Sequence, residues 1–224
     1  MIDLRLLQIT DSGFPLGGFA FSSGLESAAK LGLIRDLSAF RQYLKNYLSQ
    51  IGNGEIPFVS DSFRLVQSGW EHVEPLYKLF NAFMTIPTLR KASVTQGRSL
   101  LSAVRTAYPE VPVTDLTTWL DERRLSPHFA PTFGVCANLT GLSLEDTLVG
   151  YCYMGLRDQS AAGVRLGLLG PQAAQRALRQ VISDVPGILA SVADLHYDEA
   201  FKTCPVLDIA QAHHAQLYSR LFQS

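Results

Sequence analysis

Apolar residues recur with a helical period along almost the whole of this 224-residue chain. The clearest run lies between residues 36 and 52, and its spacing of three and four residues is typical of one face of a helix. That face carries Phe40, Tyr43, Leu44, Tyr47, Leu48 and Ile51. Gly52 and Gly54 provide a C-terminal cap. Only RLLQIT, residues 5–10, is compatible with a strand, and it equally fits a helical turn.

Glycine and proline divide the remaining helical pattern into segments. The breaks fall near Gly69 or Pro75, at Pro87, at Gly141 and at Gly170–Pro171. Ser143 and Asp146 have the spacing of a helix start. No low-complexity linker or repeat divides the chain. The sequence therefore predicts an all-α fold, a single-domain bundle of about nine or ten helices over residues 1–224.

The composition restricts the class of protein. Apolar residues make up 47% and charged residues 17%, against about a quarter charged in ordinary domains. Either the core is large or a partner or second copy covers part of the surface. The net charge of −1, with Arg123 and Arg124 as an isolated basic pair, argues against nucleic-acid binding.

Cysteine usage and hydropathy predict a cytoplasmic location without membrane association. Cys136, Cys152 and Cys204 are too few and too scattered for a disulfide framework, and they fit a reducing compartment. The N-terminus has charges where a signal peptide would be apolar. No segment approaches the length of uncharged apolar sequence that spans a bilayer.

The stretch DSGFPLGGFAFSSGLE, residues 11–26, invites a nucleotide-binding interpretation. Gly13 and Gly18 have P-loop spacing, but the lysine and hydroxyl that would contact phosphate and magnesium are absent. Ser23 and Glu26 have the spacing of a capping box. Four large apolar residues on this turn either enter the core or meet another protein: Phe14, Leu16, Phe19 and Phe21.

Candidate metal ligands and catalytic groups are sparse. His196 and Glu199 could share one helix face, and Cys204 and Asp208 could form a loose cluster with His213 or His214. Surface and capping roles are the alternative for both clusters. There is no nucleophile elbow, and no carboxylate pair in an apolar context can be assigned as acid and base. We therefore assign no catalytic residue, metal ligand or cofactor, and a stand-alone helical metal-binding protein or metalloenzyme remains the alternative.

Two further segments favour contacts with another chain. Residues 157–171 contain small residues on a helix face, with Arg157 and Arg165 about two turns apart on one side. Those arginines either form internal salt bridges or bind a partner. The C-terminal segment is apolar for a chain end, and Leu217, Leu221 and Phe222 either dock on their own domain or await a partner.

Four blocks in register resemble one known family. They are LLQITDSGFPLGGFAFSSGLESA, TQGRSLL, HFAPTFGVCANLTGLSLEDTLVGYCYMGLRDQSAAGVRLGLLGP and PVLDIAQAHHAQLYSRLFQS. Together they resemble the urease accessory protein UreF, and the tail LYSRLFQS is most similar to the plant and fungal branch. The resemblance runs from near residue 6 to the end of the chain.

The resemblance implies a non-enzymatic, homodimeric adaptor. Proteins of this family join the accessory protein UreD (also called UreH) to the GTPase UreG, and the complex inserts nickel into apo-urease. A role in regulating GTP hydrolysis is a further implication. The resemblance also implies a partner-binding tail at about residues 204–224. The implied partner-binding residues are Phe14, Pro15, Gly17, Gly18, Arg157, Arg165, Pro171, Asp208, His214, Tyr218, Arg220, Leu221 and Phe222.

Overall fold

The computed structural model describes residues 3–223, and within that range it contains twelve α-helices and no β-strand. Five short 3₁₀ turns join some of the helices. The helices are α1 (Leu4–Thr10), α2 (Leu25–Lys30), α3 (Leu37–Gly54), α4 (Ile56–Leu65), α5 (Glu74–Phe83), α6 (Pro87–Ala107), α7 (Val113–Glu122), α8 (Phe129–Leu139), α9 (Leu144–Arg165), α10 (Pro171–Ile182), α11 (Val185–Ser191) and α12 (Pro205–His213).

The all-α prediction is confirmed. Nine of the twelve described helices have nine residues or more, in line with the predicted nine or ten. The additional helices, α1, α2 and α11, are short. RLLQIT lies in α1 and is helical. Ser143 caps α9 by accepting from the Asp146 backbone N–H, as the spacing predicts. No helix in the described range is both long enough and apolar enough to cross a bilayer.

Helix α8 lies at the centre of the packing, between α4 and α6. Phe133, Val135 and Cys136 of α8 are almost fully buried. Two glycines allow neighbouring backbones to approach closely: Gly134 faces the Val59 carbonyl of α4, and Gly97 of α6 faces the Pro127 carbonyl just before α8. The long helix α9 packs against α1, α3 and α10, which places its two arginines near the N-terminal loop.

The start of α2 differs from the predicted capping box. Gly24 is the N-cap residue and adopts a left-handed conformation with φ of 92°, without a side-chain cap. Ser23 also has a positive φ of 48°, so its hydroxyl is not placed to cap the helix. Glu26 is almost fully buried, and its carboxylate points to the C-terminal segment, a long-range contact that local spacing does not reveal.

The backbone contact at Gly97 yields a stability prediction. We expect Gly97→Ala to destabilise the fold by about 1–3 kcal/mol, because the new methyl group would overlap the Pro127 carbonyl oxygen, which cannot move independently of the chain. The measurement is chemical denaturation of the purified protein.

The matched control is Gly187→Ala in α11, where an added methyl group would meet no atom within 4 Å. We expect that change to be neutral or to stabilise by up to about 1 kcal/mol, since alanine has the higher helix propensity. Equal effects of the two substitutions would contradict the proposed close approach of α6 to the segment before α8.

Candidate functional site

Arg165 joins the N-terminal loop to the C-terminal segment. Its guanidinium carbon lies 3.5 Å from the ring centroid of Phe19 and 4.3 Å from that of Phe222. The guanidinium also donates to the Phe19 carbonyl oxygen. Cation–π contacts of this kind contribute about 0.5–2 kcal/mol each, depending on exposure. One arginine of α9 therefore holds together two segments that lie about 200 residues apart.

Arg157, two turns earlier in α9, contacts the other end of the same loop. It donates to the carbonyl oxygen of Thr10, the last residue of α1, and its Nε lies 2.8 Å from Oδ1 of Asp158. Burial raises the pKa of Asp158 despite the Arg157 charge. A side chain at Gly18 would overlap the Asp158 carboxylate. The sequence left open whether these arginines form internal salt bridges or bind a partner. Arg157 forms an internal salt bridge with Asp158, and the loop packs directly against this pair.

Glu26 fixes the C-terminal segment to α2. Its carboxylate accepts hydrogen bonds from the backbone N–H groups of Leu221 at 2.8 Å and Phe222 at 3.1 Å. It also lies 3.2 Å from Nε2 of His214 and 3.4 Å from Nζ of Lys30. We refer to these four contacts as the Glu26 clasp. Hydrogen bonds to a charged group contribute about 1.5–3 kcal/mol each, so the segment docks on its own chain.

The clasp also lowers the pKa of Glu26. Burial raises the pKa of Glu26, but the hydrogen bonds from Leu221, Phe222, His214 and Lys30 outweigh it, so the net pKa lies below its ordinary value. His214 is fully buried, and its Nδ1 has no hydrogen-bond partner in residues 3–223. Its Nε2 is the ring nitrogen that faces the Glu26 carboxylate.

The docked segment has one face inside the protein and one outside. Phe222 retains only 4% of its accessible surface, and its burial contributes about 1.5–3 kcal/mol. Three apolar side chains of the same region remain in solvent: Phe19 is 66% exposed, Leu221 is 53% exposed and Tyr218 is fully exposed. These three residues define what we call the tail surface. Arg220, which directly precedes Leu221 in the chain, is also exposed.

The other residues implied by the resemblance lie in several places. Phe14 and Pro15 line an open groove against α6. Gly17, with φ of 75°, turns the loop toward Ser99 of that helix. Pro171 is exposed at the start of α10.

Asp208 belongs to a separate internal contact. It pairs with Lys202 at 2.9 Å and accepts from Gln50 at 3.2 Å. The structure therefore gives it no contact with the Glu26 clasp.

Four of the six candidate metal ligands, His196, Glu199, Asp208 and His214, make other contacts through their side chains. His196 and Glu199 form a reciprocal cap at a 3₁₀ turn, and His196 Nδ1 lies 3.2 Å from Oδ2 of Asp61. His214 is in the Glu26 clasp. The described part of the chain does not bring three histidine, cysteine, aspartate or glutamate side chains together in a metal-binding arrangement.

A cavity of about 120 Å³ brings together two carboxylates that sequence reasoning did not pair. Glu55 and Asp158 both line it, beside Tyr47 and Tyr151. Burial raises the pKa of Glu55 despite the hydrogen bond from Tyr151 and the charge of Lys202. The sequence did not pair these residues, which are 103 positions apart, because only the tertiary structure shows that they line the same cavity.

Comparison with known proteins gives a consistent result. A family model described as UreF matches residues 34–182. The chain is 34% identical over 218 residues to a rice protein (Oryza sativa subsp. indica) named "Urease accessory protein F", an alignment covering 96% of this chain and 82% of the rice protein. The protein of that name in Arabidopsis thaliana is 30% identical over 224 residues, covering 97% and 90%. "Urease accessory protein UreF" of Paenarthrobacter aurescens is 31% identical over 222 residues, covering 99% and 97%.

The Glu26 clasp leads to a pH prediction. A carboxylate whose pKa is lowered by folding contributes stability above its unfolded value, here 4.5, and that contribution is lost as the pH falls through the folded value. We therefore expect the C-terminal segment to undock at acidic pH before the core unfolds. Hydrogen exchange of a peptide covering residues 215–223, compared with one from α8 and corrected for intrinsic rates, measures this.

Glu26→Gln is the control for the clasp prediction. It retains the shape of the side chain but replaces one acceptor oxygen by an amide that cannot accept from a backbone N–H. We expect roughly tenfold faster exchange in the C-terminal peptide at neutral pH, with little further change on acidification. An unchanged exchange rate in this variant would show that the carboxylate does not hold the segment.

Proposed function

The chain belongs to the UreF family of urease accessory proteins, and on that basis we propose that it is a non-enzymatic adaptor in urease maturation. In this proposal it joins UreD/UreH to the GTPase UreG in the complex that inserts nickel into apo-urease. Nickel is cargo of the complex, and no cofactor of this chain is required. The whole chain, residues 1–224, acts as one unit.

The observation that carries the proposal is the tail surface. Phe19, Tyr218 and Leu221 are exposed apolar side chains on segments that Arg165 and the Glu26 clasp hold in place. Protein interfaces are typically anchored by aromatic residues of this kind within a polar rim. Because the segments are already ordered, binding a partner costs less conformational entropy than it would for a free tail.

Seven of the partner-binding residues implied by the resemblance then divide into two roles. Tyr218, Leu221 and Arg220 are available for direct contact with UreD/UreH, together with Phe19. The remaining members of the region support those contacts from behind: Arg157, Arg165, His214 and Phe222. Loss of a supporting residue would act through displacement of the loop or tail rather than through a missing contact.

Self-association and location are part of the same proposal. We expect a homodimer, because exposed apolar residues also lie away from the tail, with Leu4 76% and Leu7 53% exposed on α1. Three free cysteines, of which Cys136 and Cys152 are buried, favour a reducing compartment such as the cytoplasm.

A regulatory role is the second candidate, and the cavity favours it. Glu55 and Asp158 provide oxygen groups along an internal space that reaches from the N-terminal loop toward Lys202. Such groups could pass nickel cargo between partners, and their raised pKa values would make that passage weaker at lower pH. In this version the dimer also times GTP hydrolysis by UreG.

Point substitutions on the tail surface test the adaptor proposal without disturbing the core. We expect Tyr218→Ala with Leu221→Ala to reduce co-purification of UreD/UreH by at least about tenfold, since interface anchors typically contribute 2 kcal/mol or more. The matched control is Leu79→Ala with Phe201→Ala, an exposed leucine and aromatic residue on other elements. Equal recovery of the partner with both double variants would contradict the assignment.

A GTPase assay tests the regulatory version. We expect the rate of GTP hydrolysis by UreG to change when the wild-type chain and UreD/UreH are added together. With the Tyr218→Ala, Leu221→Ala variant in place of wild type, the rate should stay closer to that of UreG by itself. Unchanged hydrolysis rates and nucleotide affinity with the wild-type chain would contradict the regulatory role and would be compatible only with the scaffold role. Tightly bound, near-stoichiometric metal in the chain purified by itself would instead favour the metalloprotein alternative.

A further inference from the structure

Helix α6 carries four basic residues and no acidic residue over its 21 positions. Three of them, Lys91, Arg98 and Arg105, recur at intervals of seven residues. Seven residues make nearly two helical turns, so the three side chains lie along one face with a rise of about 10.5 Å between neighbours. All three are exposed. We refer to them as the basic rim.

The basic rim is unpaired within the structure. Between residues 3 and 223, none of its three side chains forms a salt bridge or a hydrogen bond to another residue. By contrast, twelve of the nineteen lysine and arginine side chains, all of which lie within the described residues, have such a partner, four of them through hydrogen bonds alone. Those that do pair with a carboxylate are Arg5, Lys30, Lys45, Arg64, Lys78, Arg123, Arg157 and Lys202.

An open groove runs beside the Arg98 and Arg105 part of this rim. It lies between α6 and the N-terminal loop, and its wall contains Phe14, Pro15 and Ala103 together with the hydroxyl groups of Ser102 and Thr106. Ser102 is four residues after Arg98 and three before Arg105, so helical geometry puts the groove and the arginines on adjacent faces. The groove thus has an apolar wall, a cationic edge and two hydroxyl groups, of which that of Thr106 already donates to the Ser102 carbonyl oxygen.

The groove shares its loop with the tail surface. Gly17 faces Ser99 of α6, whereas Phe19, two residues later, stacks on Arg165 beside the docked C-terminal segment. A single bound protein could therefore reach both. This continuity, together with the unpaired positive charge, indicates which kind of occupant the groove fits.

We propose that the groove and its basic rim receive an acidic segment of the partner protein that docks on the tail surface, with an apolar side chain of that segment placed against Phe14 and Pro15. The inference rests on the proposed adaptor function and adds the charge of the partner. Single-stranded nucleic acid fits less well, because its binding sites combine basic grooves with exposed aromatic platforms, and Phe14 is half-buried.

Charge reversal at the rim tests the proposal. The variant is Arg98→Glu with Arg105→Glu, and the matched control is Arg176→Glu with Arg179→Glu on α10. The control arginines are also exposed, and neither has a salt-bridge or hydrogen-bond partner among the residues that the structure describes. Both double variants change the net charge equally. The probe is purified UreD/UreH. Its association with the full-length chain is measured by surface plasmon resonance at low and at physiological salt.

We expect the rim variant to associate about tenfold more slowly than wild type at low salt, with the difference shrinking as salt screens the charges. The control should remain within about twofold. Circular dichroism verifies folding, and Arg98→Gln with Arg105→Gln, which removes charge without reversing it, should give a smaller loss of the same kind.

The outcomes separate this inference from the function on which it rests. If wild type binds UreD/UreH and the rim variant matches the control, the acidic-segment inference is wrong while the adaptor proposal stands. If wild type does not bind, both are wrong. If the rim variant loses binding of a single-stranded RNA oligonucleotide but keeps its association rate with the protein, the rim serves nucleic acid and the inference is also wrong.

Discussion

The arrangement of the candidate site depends on one buried carboxylate. Glu26 accepts from two backbone N–H groups of the C-terminal segment and lies next to His214 and Lys30. A buried charge without partners would be strongly unfavourable, so the carboxylate and the segment stabilise each other. Their contact determines where Phe222 packs, and Phe222 in turn completes the ring pair around Arg165. Without the carboxylate, the C-terminal segment would keep the Arg165 contact with Phe222, the hydrogen bond from Gln223 N–H to the Ala20 carbonyl oxygen and the contact of Lys30 with Ser219.

Local sequence patterns predicted the helices well because helix formation is largely a matter of spacing and caps. The stripe from Phe40 to Ile51 became α3, and the Ser143 cap began α9 where the spacing placed it. The same local reasoning failed at Glu26. Its spacing from Ser23 suggested a capping box, whereas the fold uses its charge for residues almost 200 positions away. Periodicity carries no information about such contacts.

Prediction of the candidate site was similarly divided. The resemblance identified Tyr218, Leu221 and Phe222 as one group, but exposure separates them, since Phe222 is buried and the other two are in solvent. Arg157 and Arg165 were expected to share a side of a helix, and both contact the N-terminal loop. Glu55 and Asp158 were not paired at all, because only tertiary structure brings them to one cavity. Residue identity could be read from the chain, whereas accessibility had to come from the packing.

The clasp has an evolutionary consequence because its two contacts with Leu221 and Phe222 are made to main-chain N–H groups rather than to side chains. Leu221 is bound through its backbone N–H, while its side chain is half in solvent. Any residue except proline can supply that donor. The side chain that residue 221 exposes to solvent is therefore independent of the contact that docks the segment. Related proteins that bind a different partner could carry another side chain there and still keep the C-terminal segment docked. Recognition can diverge here while the architecture beneath it stays constant.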